Sequence, residues 1–361
     1  MAKRMATCGW LHVRTHAPTF LHGLPVNETL IQQFMTDQHL PGLAVGIQRG
    51  SDLLHEGYYG LANLEHNVPV SAETVFEIAS VTKLFTSQAI LRLAQDRRIA
   101  LDDPVSTYVA NLPEAWQSIT IRHCLAHQSG IPNYTSVERY WQITREAKSH
   151  AQILDLVRDL PLNFAPGTRH AYDNTGFYLL GMLIEAVTQK SYGDYLREII
   201  FEPLNMTHTL ANDYDRIVPH RAQGYVYGDG ALHNKRFYDI SNTFSAGILL
   251  STVRDLLTWA KALHSDVILN VASRDLWWTP QPSQTGNERS TTYPYTLTLG
   301  WFIVDDPLGQ FYGHNGGIEG FASAFLHFPQ SDITAVVLTN CNFVNAPHQL
   351  ALDLLRDLRL I

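Results

Sequence analysis

The chain has 361 residues and a mass of 40.7 kDa, and its 45% hydrophobic and 11% aromatic content is enough to form a large folded core. Charged residues make up 17%, below the ~25% of ordinary proteins, and the net charge is −8. This composition excludes an intrinsically disordered chain, and it lacks the basic character that binding to nucleic acid or anionic membranes requires.

The first 24 residues show no hydrophobic periodicity, and we expect them to form a loose leader. Lys3 and Arg4 precede a short apolar stretch, but His12 and Arg14 interrupt it before it reaches the length of a signal-peptide core. No run in the sequence approaches the ~20 apolar residues that a membrane-spanning helix needs. These features predict a cytoplasmic protein, or an exported one whose signal has already been removed.

Secondary-structure signals predict strands at both ends of the chain and helices between them. Residues 27–38 have an apolar helical face with Asn27 as the N-cap, and two apolar runs at 42–48 and 53–59 predict a hairpin. A buried helix is predicted over 81–97. Further helices are predicted over 120–127, 148–160, 175–188, 192–200, 252–264 and 346–360, and further strands over 297–304, 321–328 and 333–339.

This order of elements predicts an α/β fold with a helical insertion. We expect a discontinuous sheet domain formed by residues 25–84 and 285–361, and a mostly helical domain over residues 85–284. The three cysteines are too scattered for a disulfide framework, and the 17 histidines form no cluster with metal-ligand spacing along the sequence. The sequence therefore predicts no metal and no cofactor.

The clearest signal for chemistry is a Ser-x-x-Lys motif formed by Ser80 and Lys83. Residues three apart on a helix share one face, so the lysine amine can lie beside the serine hydroxyl and help to remove its proton. At a helix start, the Ser80 N–H also lacks an intrahelical partner and can donate to an oxyanion. The structural alternative is a helix-start serine followed by a solvated lysine, but the apolar flanks make an unpaired lysine costly there.

In its wider context, residues 75–83 (VFEIASVTK), the motif resembles the nucleophile segment of the β-lactamase-related, penicillin-recognising serine hydrolases. The resemblance is to the branch with class C β-lactamases, D-alanyl-D-alanine carboxypeptidases, D-aminopeptidases and β-lactamase-like carboxylesterases. It implies a β-lactamase/transpeptidase-like fold, with an antiparallel sheet flanked by helices and a mostly helical domain. Residues 125–132, 201–206 and 247–252 are similar to further landmarks of the family, which we interpret as structural.

The family's second motif, Tyr-x-Asn, is matched by Tyr172, Asp173 and Asn174. The resemblance implies that Tyr172 works with Lys83 as general base, and that Asn174 bonds the lysine and the acyl side of the substrate. A phenolate beside an ammonium can take a proton from the serine, and the same pair can return it to the leaving group. Asp173 departs from the usual small residue at the middle position; it either points outward or faces the pocket, where it would repel anionic substrates.

The third motif is matched by His314, Asn315, Gly316 and Gly317, the histidine variant of Lys-Thr-Gly. Glycines allow a substrate backbone to approach a strand closely. The resemblance implies that the Gly317 N–H completes an oxyanion hole with the Ser80 N–H, and that this segment binds the substrate. A structural role for an isolated histidine beside two glycines is the alternative.

Two further residues resemble functional positions, and we interpret both as structural. His127 belongs to the Leu-x-His-x-Ser-Gly landmark and is expected to be a packed or capping side chain rather than an acid or base. Glu202 superficially resembles a deacylating glutamate of class A β-lactamases, but its spacing is one residue short. Deacylation is therefore expected to depend on Tyr172, Lys83 or the substrate.

These motifs predict a serine hydrolase that acts through an acyl-enzyme on Ser80 and takes a small-molecule ester, amide or peptide substrate. A carboxylesterase-type hydrolase of small esters is favoured, because no Lys or Arg occurs in residues 290–313 and Arg289 is the nearest candidate cation for a substrate carboxylate. The expected apolar mouth is formed by aromatic side chains, namely Tyr134, Tyr140, Trp141, Tyr225 and Tyr227.

The alternatives that remain open are a D-alanyl-D-alanine carboxypeptidase or D-aminopeptidase-like peptidase, and a β-lactamase or penicillin-binding sensor without efficient turnover. The fold implied by the resemblance hosts all of these activities, so it cannot decide among them. The sequence leaves the oligomeric state open.

Overall fold

The computed structural model describes residues 26–284, 295–342 and 347–360. Its strands are β1 (Gly42–Arg49), β2 (Asp52–Asn63), β3 (Val68–Pro69), β4 (Phe76–Glu77), β5 (Leu210–Ala211), β6 (Tyr225–Gly228), β7 (Ala231–Asn234), β8 (Leu249–Ser251), β9 (Tyr295–Leu297), β10 (Phe302–Asp306), β11 (Gly309–Ile318), β12 (Phe321–Phe328) and β13 (Ile333–Thr339).

Helices occupy mainly the middle of the chain. They are α1 (Glu28–Asp37), α2 (Thr82–Gln95), α3 (Ile121–Leu125), α4 (Glu138–Ile143), α5 (His150–Leu154), α6 (Asn174–Thr188), α7 (Tyr192–Leu196), α8 (Val253–Ala262), α9 (Val271–Trp278) and α10 (Pro347–Asp357). Short 3-10 turns cover Ala79–Val81, Val105–Thr107, Glu114–Trp116, Tyr134–Ser136 and Ile240–Ala246, and a π turn covers Arg197–Phe201. Within the described residues, no helix is both long enough and apolar enough to cross a membrane.

The main sheet has eight antiparallel strands in the order β3-β2-β1-β13-β12-β11-β10-β9. The first and last parts of the chain therefore meet at β1 and β13 in its centre. Helices α1 and α10 pack against one face, where the apolar side chains of β1, β12 and β13 form one core. Helix α8 packs against the other face, above β1 and β13. This arrangement is the predicted antiparallel sheet flanked by helices.

Most predicted elements form close to their expected positions. The hairpin of β1 and β2 is present, and the Asn27 Oδ1 caps α1 by accepting the Leu30 N–H at 3.3 Å. The single strand predicted over 297–304 is wrong, because Gly300 adopts a φ of +102° in a turn that separates β9 from β10. The predicted helices over 148–160 and 192–200 are shorter than expected, ending at Leu154 and passing into a π turn after Leu196.

A small second sheet, β4-β8-β5, supports the segment that precedes the nucleophile motif. In it, Phe76 and Glu77 pair with Ser251 and Leu250 of β8. These strands are not predicted from the sequence, because each has only two or three residues, which is too short for periodicity to detect. Their effect is to attach the chain just before Ser80 to the interior of the molecule.

Candidate active site

The Ser80 side chain stands on a sharp turn between β4 and α2. Ala79, just before it, adopts a left-handed φ of +46°, a conformation that costs energy for a residue with a Cβ atom. The surroundings hold this turn, since the Ile78 N–H donates to the Leu249 carbonyl at 3.0 Å and the Ile78 carbonyl accepts the Ser323 hydroxyl at 2.8 Å. No carbonyl in the described part of the chain accepts the Ser80 N–H, so this donor is available to a ligand.

Lys83 lies one helical turn further on and is fully buried. Its Nζ is 3.2 Å from the Ser80 Oγ, and it donates to the Asn174 Oδ1 and to the Ala246 carbonyl, each at 2.7 Å. Burial lowers the pKa of Lys83 to about 7, against a smaller opposing effect of the Asp173 carboxylate. A neutral amine has two N–H donors, which the amide and carbonyl oxygens engage, so its lone pair is directed at the serine oxygen.

Tyr172 completes the group around the serine oxygen, with its hydroxyl 2.8 Å from the Ser80 Oγ. The Lys83 Nζ lies 4.9 Å from the centre of the Tyr172 ring, and the buried His127 ring packs behind it at 4.6 Å between centroids. The residue is 36% exposed, its hydroxyl lies against the Ser80 Oγ, and burial raises the pKa of Tyr172. The phenol is therefore protonated at neutral pH and donates to the Ser80 Oγ, which differs from the phenolate expected from the sequence.

Asp173 points neither outward nor into the cavity. It is 3% exposed and caps the start of α6, where its carboxylate accepts the Gly176 N–H and the Ser129 hydroxyl, the latter at 3.1 Å. Burial raises the pKa of Asp173 to about 6, partly offset by these hydrogen bonds. The unusual middle residue of the Tyr-x-Asn motif thus acts as a helix cap and as a negative charge near Lys83.

Asn174 is held in a single orientation by its neighbours. Its Oδ1 accepts from Lys83, while its Nδ2 donates to the Asn133 Oδ1 at 3.3 Å and to the Thr135 Oγ1 at 3.0 Å. The expected bond to the lysine is therefore present. The additional contact with a substrate acyl group stays a prediction, because both amide protons already have protein partners.

The third motif lies on the part of β11 that borders the cavity. Strand β12 pairs with β11 as far as Ile318, whereas β10 pairs with it only as far as Gly313, so the described part of the chain leaves the edge beyond that residue open. A Cβ atom at Gly316 would overlap the Ser323 Oγ and the Ile78 carbonyl, so glycine is needed for this close approach. A Cβ at Gly317 would meet nothing within 4 Å.

His314 begins this edge as a neutral side chain. Its Nδ1 lies 2.6 Å from the Asn315 carbonyl, which can only accept, so Nδ1 carries the proton and Nε2 is an acceptor. Burial, followed by the nearby Lys83 charge, lowers the pKa of His314 to about 3. No described group bonds to its Nε2, and the ring packs 5.0 Å from that of Phe302 between centroids. A substrate in the cavity therefore meets an uncharged imidazole here.

A cavity of about 1300 Å³ opens above Ser80, and the Tyr172 ring and the His314–Gly317 edge of β11 form part of its wall. Aromatic side chains form another part, but they are mostly not the predicted ones. Apart from Tyr172, the aromatic residues of the lining are Trp141, Tyr295, Phe302, Phe311, Phe321 and Phe325.

Four of the five aromatic residues expected at the mouth do not line the cavity. Tyr134, Tyr140 and Tyr225 are buried in the interior, and Tyr227 stacks on His39 at a centroid distance of 3.7 Å. Only Trp141 agrees with the prediction. The error arose because aromatic residues fill protein cores as readily as they line pockets, and sequence proximity to a motif cannot separate the two.

Two of the charged residues that line this cavity are not identified by any motif in the sequence. Arg236 and Glu319 both line the cavity, and the backbone N–H of Arg236 donates to the Glu319 Oε1 at 3.0 Å. Arg236 follows the hairpin of β6 and β7, far in sequence from every motif, and no local pattern identifies it. The predicted cation, Arg289, lies outside the described residues. Glu202 lies on the surface, where its Oε1 is 3.4 Å from the Arg197 Nε.

A protein-family model described as Beta-lactamase matches residues 27–360. Among curated proteins, Protein flp of Staphylococcus aureus (strain MRSA252) is 31% identical over 331 residues, covering 89% of this chain. The chain corresponds to only 63% of that relative's length.

Solved structures with the same fold include the octameric penicillin-binding protein homologue from Pyrococcus abyssi, at 27% identity and a TM-score of 0.79, covering 91% of this chain and 76% of that one. D-amino acid amidase from Ochrobactrum anthropi SV3, complexed with L-phenylalanine amide, matches at 25% identity and a TM-score of 0.78, covering 92% and 99%. These similarities extend over both the sheet and the helical part of the chain.

Proposed function

The chain belongs to the β-lactamase family of serine hydrolases, and from that premise we propose that it hydrolyses small esters through an acyl-enzyme formed on Ser80. The observation that carries this proposal is the contact of one serine oxygen with both an amine and a phenol, at 3.2 Å from the Lys83 Nζ and 2.8 Å from the Tyr172 hydroxyl. This is the arrangement that activates a serine for attack on a carbonyl carbon.

In the acylation step, the neutral Lys83 amine takes the hydroxyl proton of Ser80 as the serine oxygen bonds to the substrate carbonyl carbon. The resulting ammonium keeps its bonds to Asn174 and Ala246 and gains a charge beside Asp173, which favours it. When the carbon–oxygen bond to the leaving group breaks, the Tyr172 hydroxyl donates its proton to the departing alkoxide. The ammonium of Lys83 then returns a proton to the tyrosine.

Two backbone donors are proposed to stabilise the tetrahedral intermediate. The Ser80 N–H is free of protein acceptors in the described residues, and the Gly317 N–H lies on the open edge of β11 that borders the cavity. Such an oxyanion hole is worth several kcal/mol, since removal of one donor typically lowers the rate by ~10²–10³. Deacylation reverses the proton path, with a water in place of the leaving group and Lys83 with Tyr172 as the base.

The preference for an uncharged ester rests on the wall of the cavity near the nucleophile. His314 is neutral where a lysine would carry a cation, and the rings of Trp141 and Phe302 suit an apolar acyl or alcohol group. A carboxylate bound beside His314 would lose its hydration without gaining a charged partner from that residue. Ester substrates avoid this cost.

A peptidase that recognises a carboxylate is the second candidate, and Arg236 is the observation that favours it. This guanidinium is exposed and lines the same cavity as Ser80. The cation that such a peptidase needs is therefore available, at a position other than the predicted Arg289. The adjacent Glu319 carboxylate weakens the attraction for an anion, which is why this candidate ranks second.

The deciding experiment measures steady-state turnover of a short-chain p-nitrophenyl ester, a D-Ala-D-Ala peptide and a chromogenic cephalosporin under identical conditions. The proposal predicts that kcat/KM is highest for the ester and falls to background in Ser80→Ala. Peptide turnover above ester turnover would replace the proposal by the peptidase. Acylation by the cephalosporin at one equivalent, without turnover of any of the three compounds, would indicate a penicillin-binding sensor.

A pair of arginine variants separates the first two candidates further. If Arg236 recognises a carboxylate, Arg236→Ala raises the KM for the peptide much more than that for the ester, while Arg236→Lys retains most of the peptide affinity. Equal effects on both substrates would remove the support for the peptidase. Both variants should melt like the wild-type protein, because the side chain is exposed.

A further inference from the structure

A cluster of two histidines and one aspartate lies away from the cavity, on the α8 side of the main sheet. His264 follows α8, His327 is near the end of β12, and Asp332 belongs to the turn between β12 and β13. One ligand atom from each lies within 4.8 Å of the others. The three residues show no metal-ligand spacing along the chain, and only folding brings them together.

The distances between the ligand atoms of the cluster are close to those between the ligand atoms around a bound metal ion. The His264 Nε2 is 2.8 Å from the His327 Nε2 and 3.5 Å from the Asp332 Oδ1. Two nitrogens that bind one tetrahedral zinc at about 2.0–2.1 Å are about 3.3–3.4 Å apart. The two imidazoles therefore need to separate by only about half an ångström, which the partly exposed His264 can supply.

The buried member of the cluster is already oriented as a ligand. His327 is fully buried on β12, and its Nδ1 bonds to the Thr334 Oγ1 on the paired strand at 2.9 Å. This bond fixes the ring and turns its Nε2 toward His264. A second hydrogen bond of this kind, from the nitrogen that does not bind the ion, accompanies nearly all metal-binding histidines.

The other two ligands leave a route for an ion from solvent. The side chains of His264 and Asp332 are 37% and 51% exposed, and the Trp278 ring packs 5.2 Å from that of His264 between centroids. The turn is fixed by the Gly50 N–H, which donates to the Asp332 carbonyl at 2.8 Å. Two imidazoles, one carboxylate and a water in the fourth position form a donor set typical of zinc.

We propose that His264, His327 and Asp332 bind one divalent transition-metal ion, preferentially Zn²⁺, which joins the end of α8 to β12 and to the β12–β13 turn. None of the three side chains lines the cavity above Ser80, so the proposed role of the ion is to stabilise the fold rather than to take part in hydrolysis. An ion that binds only the folded chain raises the free energy of unfolding.

The test uses full-length, untagged protein dialysed against a chelator and then titrated with Zn²⁺ in competition with a chromogenic chelator. Two variants remove exposed ligands without disturbing the core: His264→Gln and Asp332→Asn. Asparagine tolerates the left-handed φ of +52° at position 332, so the second variant removes the charge and keeps the turn. His233→Gln, which removes an exposed imidazole from β7, is the matched control.

We expect one Zn²⁺ per wild-type chain, bound at least about tenfold more tightly than by either ligand variant, and unchanged in the control. Co²⁺ in the same site should give the visible absorption of a tetrahedral complex, and Zn²⁺ should raise the melting temperature of the wild type and of the control only. Binding that is absent, or equally strong in wild type and both ligand variants, would overturn the proposal. The test depends on metal binding and melting temperature alone, so its result is independent of whether the protein hydrolyses esters.

Discussion

Replacement of Lys83 by methionine tests the proposed base through stability, independently of any substrate. The folded chain lowers the pKa of Lys83 from 10.5 to about 7. Between these two values the unfolded chain binds more protons than the folded chain, so the free energy of unfolding rises with pH in this window. Lys83→Met has no such proton and loses only the pH-independent hydrogen bonds.

The magnitude follows from the same shift. At pH 7 the folded state has lost about half a proton at Lys83 relative to the unfolded state, and at pH 9 nearly a whole one. One pKa unit corresponds to about 1.4 kcal/mol. Between pH 7 and pH 9, the free energy of unfolding of the wild type should therefore rise by about 2 kcal/mol relative to that of Lys83→Met. Titrating groups that do not interact with Lys83 are shared by the two proteins and cancel in the difference. Asp173 does not cancel, because loss of Lys83 leaves its pKa higher, and this changes the difference in the same direction.

The assay is urea unfolding followed by circular dichroism at pH 7, 8 and 9 for both proteins. Lys261→Met serves as the control, because it removes the same charge from the exposed side of α8. Its stability should run parallel to that of the wild type. A difference between wild type and Lys83→Met that stays constant over this range would refute the lowered pKa, and with it the assignment of Lys83 as the base.

Two further predictions concern the neighbours of this group. In Asp173→Asn, loss of a negative charge that raises the Lys83 pKa should move the acidic limb of kcat/KM, near pH 7 in wild type, to lower pH; an unmoved limb would contradict the coupling. Gly316→Ala should destabilise the fold by about 1–3 kcal/mol in thermal melts, whereas Gly317→Ala should stay within about 0.5 kcal/mol and slow only bulky acyl groups. Equal losses of stability in both glycine variants would contradict the close approach at the first position.

The sequence predicted the fold where hydrophobic patterns are long. The hairpin of β1 and β2, the buried helix α2 and the strands β12 and β13 all extend over enough residues for periodicity to identify them. The short strands β4, β5 and β8 were not predicted, and the turn at Gly300 separates two strands where the sequence predicted one. The boundary between a sheet domain and a helical domain stays a prediction.

For the site, the motifs predicted which side chains meet but not the groups between them. Ser80, Lys83 and Tyr172 converge as expected, yet the Ala246 carbonyl that helps to fix the lysine is a backbone atom and leaves no mark in the sequence. Arg236 reaches the cavity from a hairpin that is distant in sequence from every motif, so no local pattern predicts its position there either. Long-range packing decides such contacts, and local patterns carry no information on it.

Covalent labelling of the nucleophile tests the central claim most directly. The protein is treated with a p-nitrophenyl alkylphosphonate, and the adduct is located by intact-mass measurement and peptide mapping. We expect one phosphonyl group per chain, attached to Ser80, with release of one equivalent of p-nitrophenol and no adduct in Ser80→Ala. An adduct on another residue, or equal labelling of Ser80→Ala, would contradict this claim.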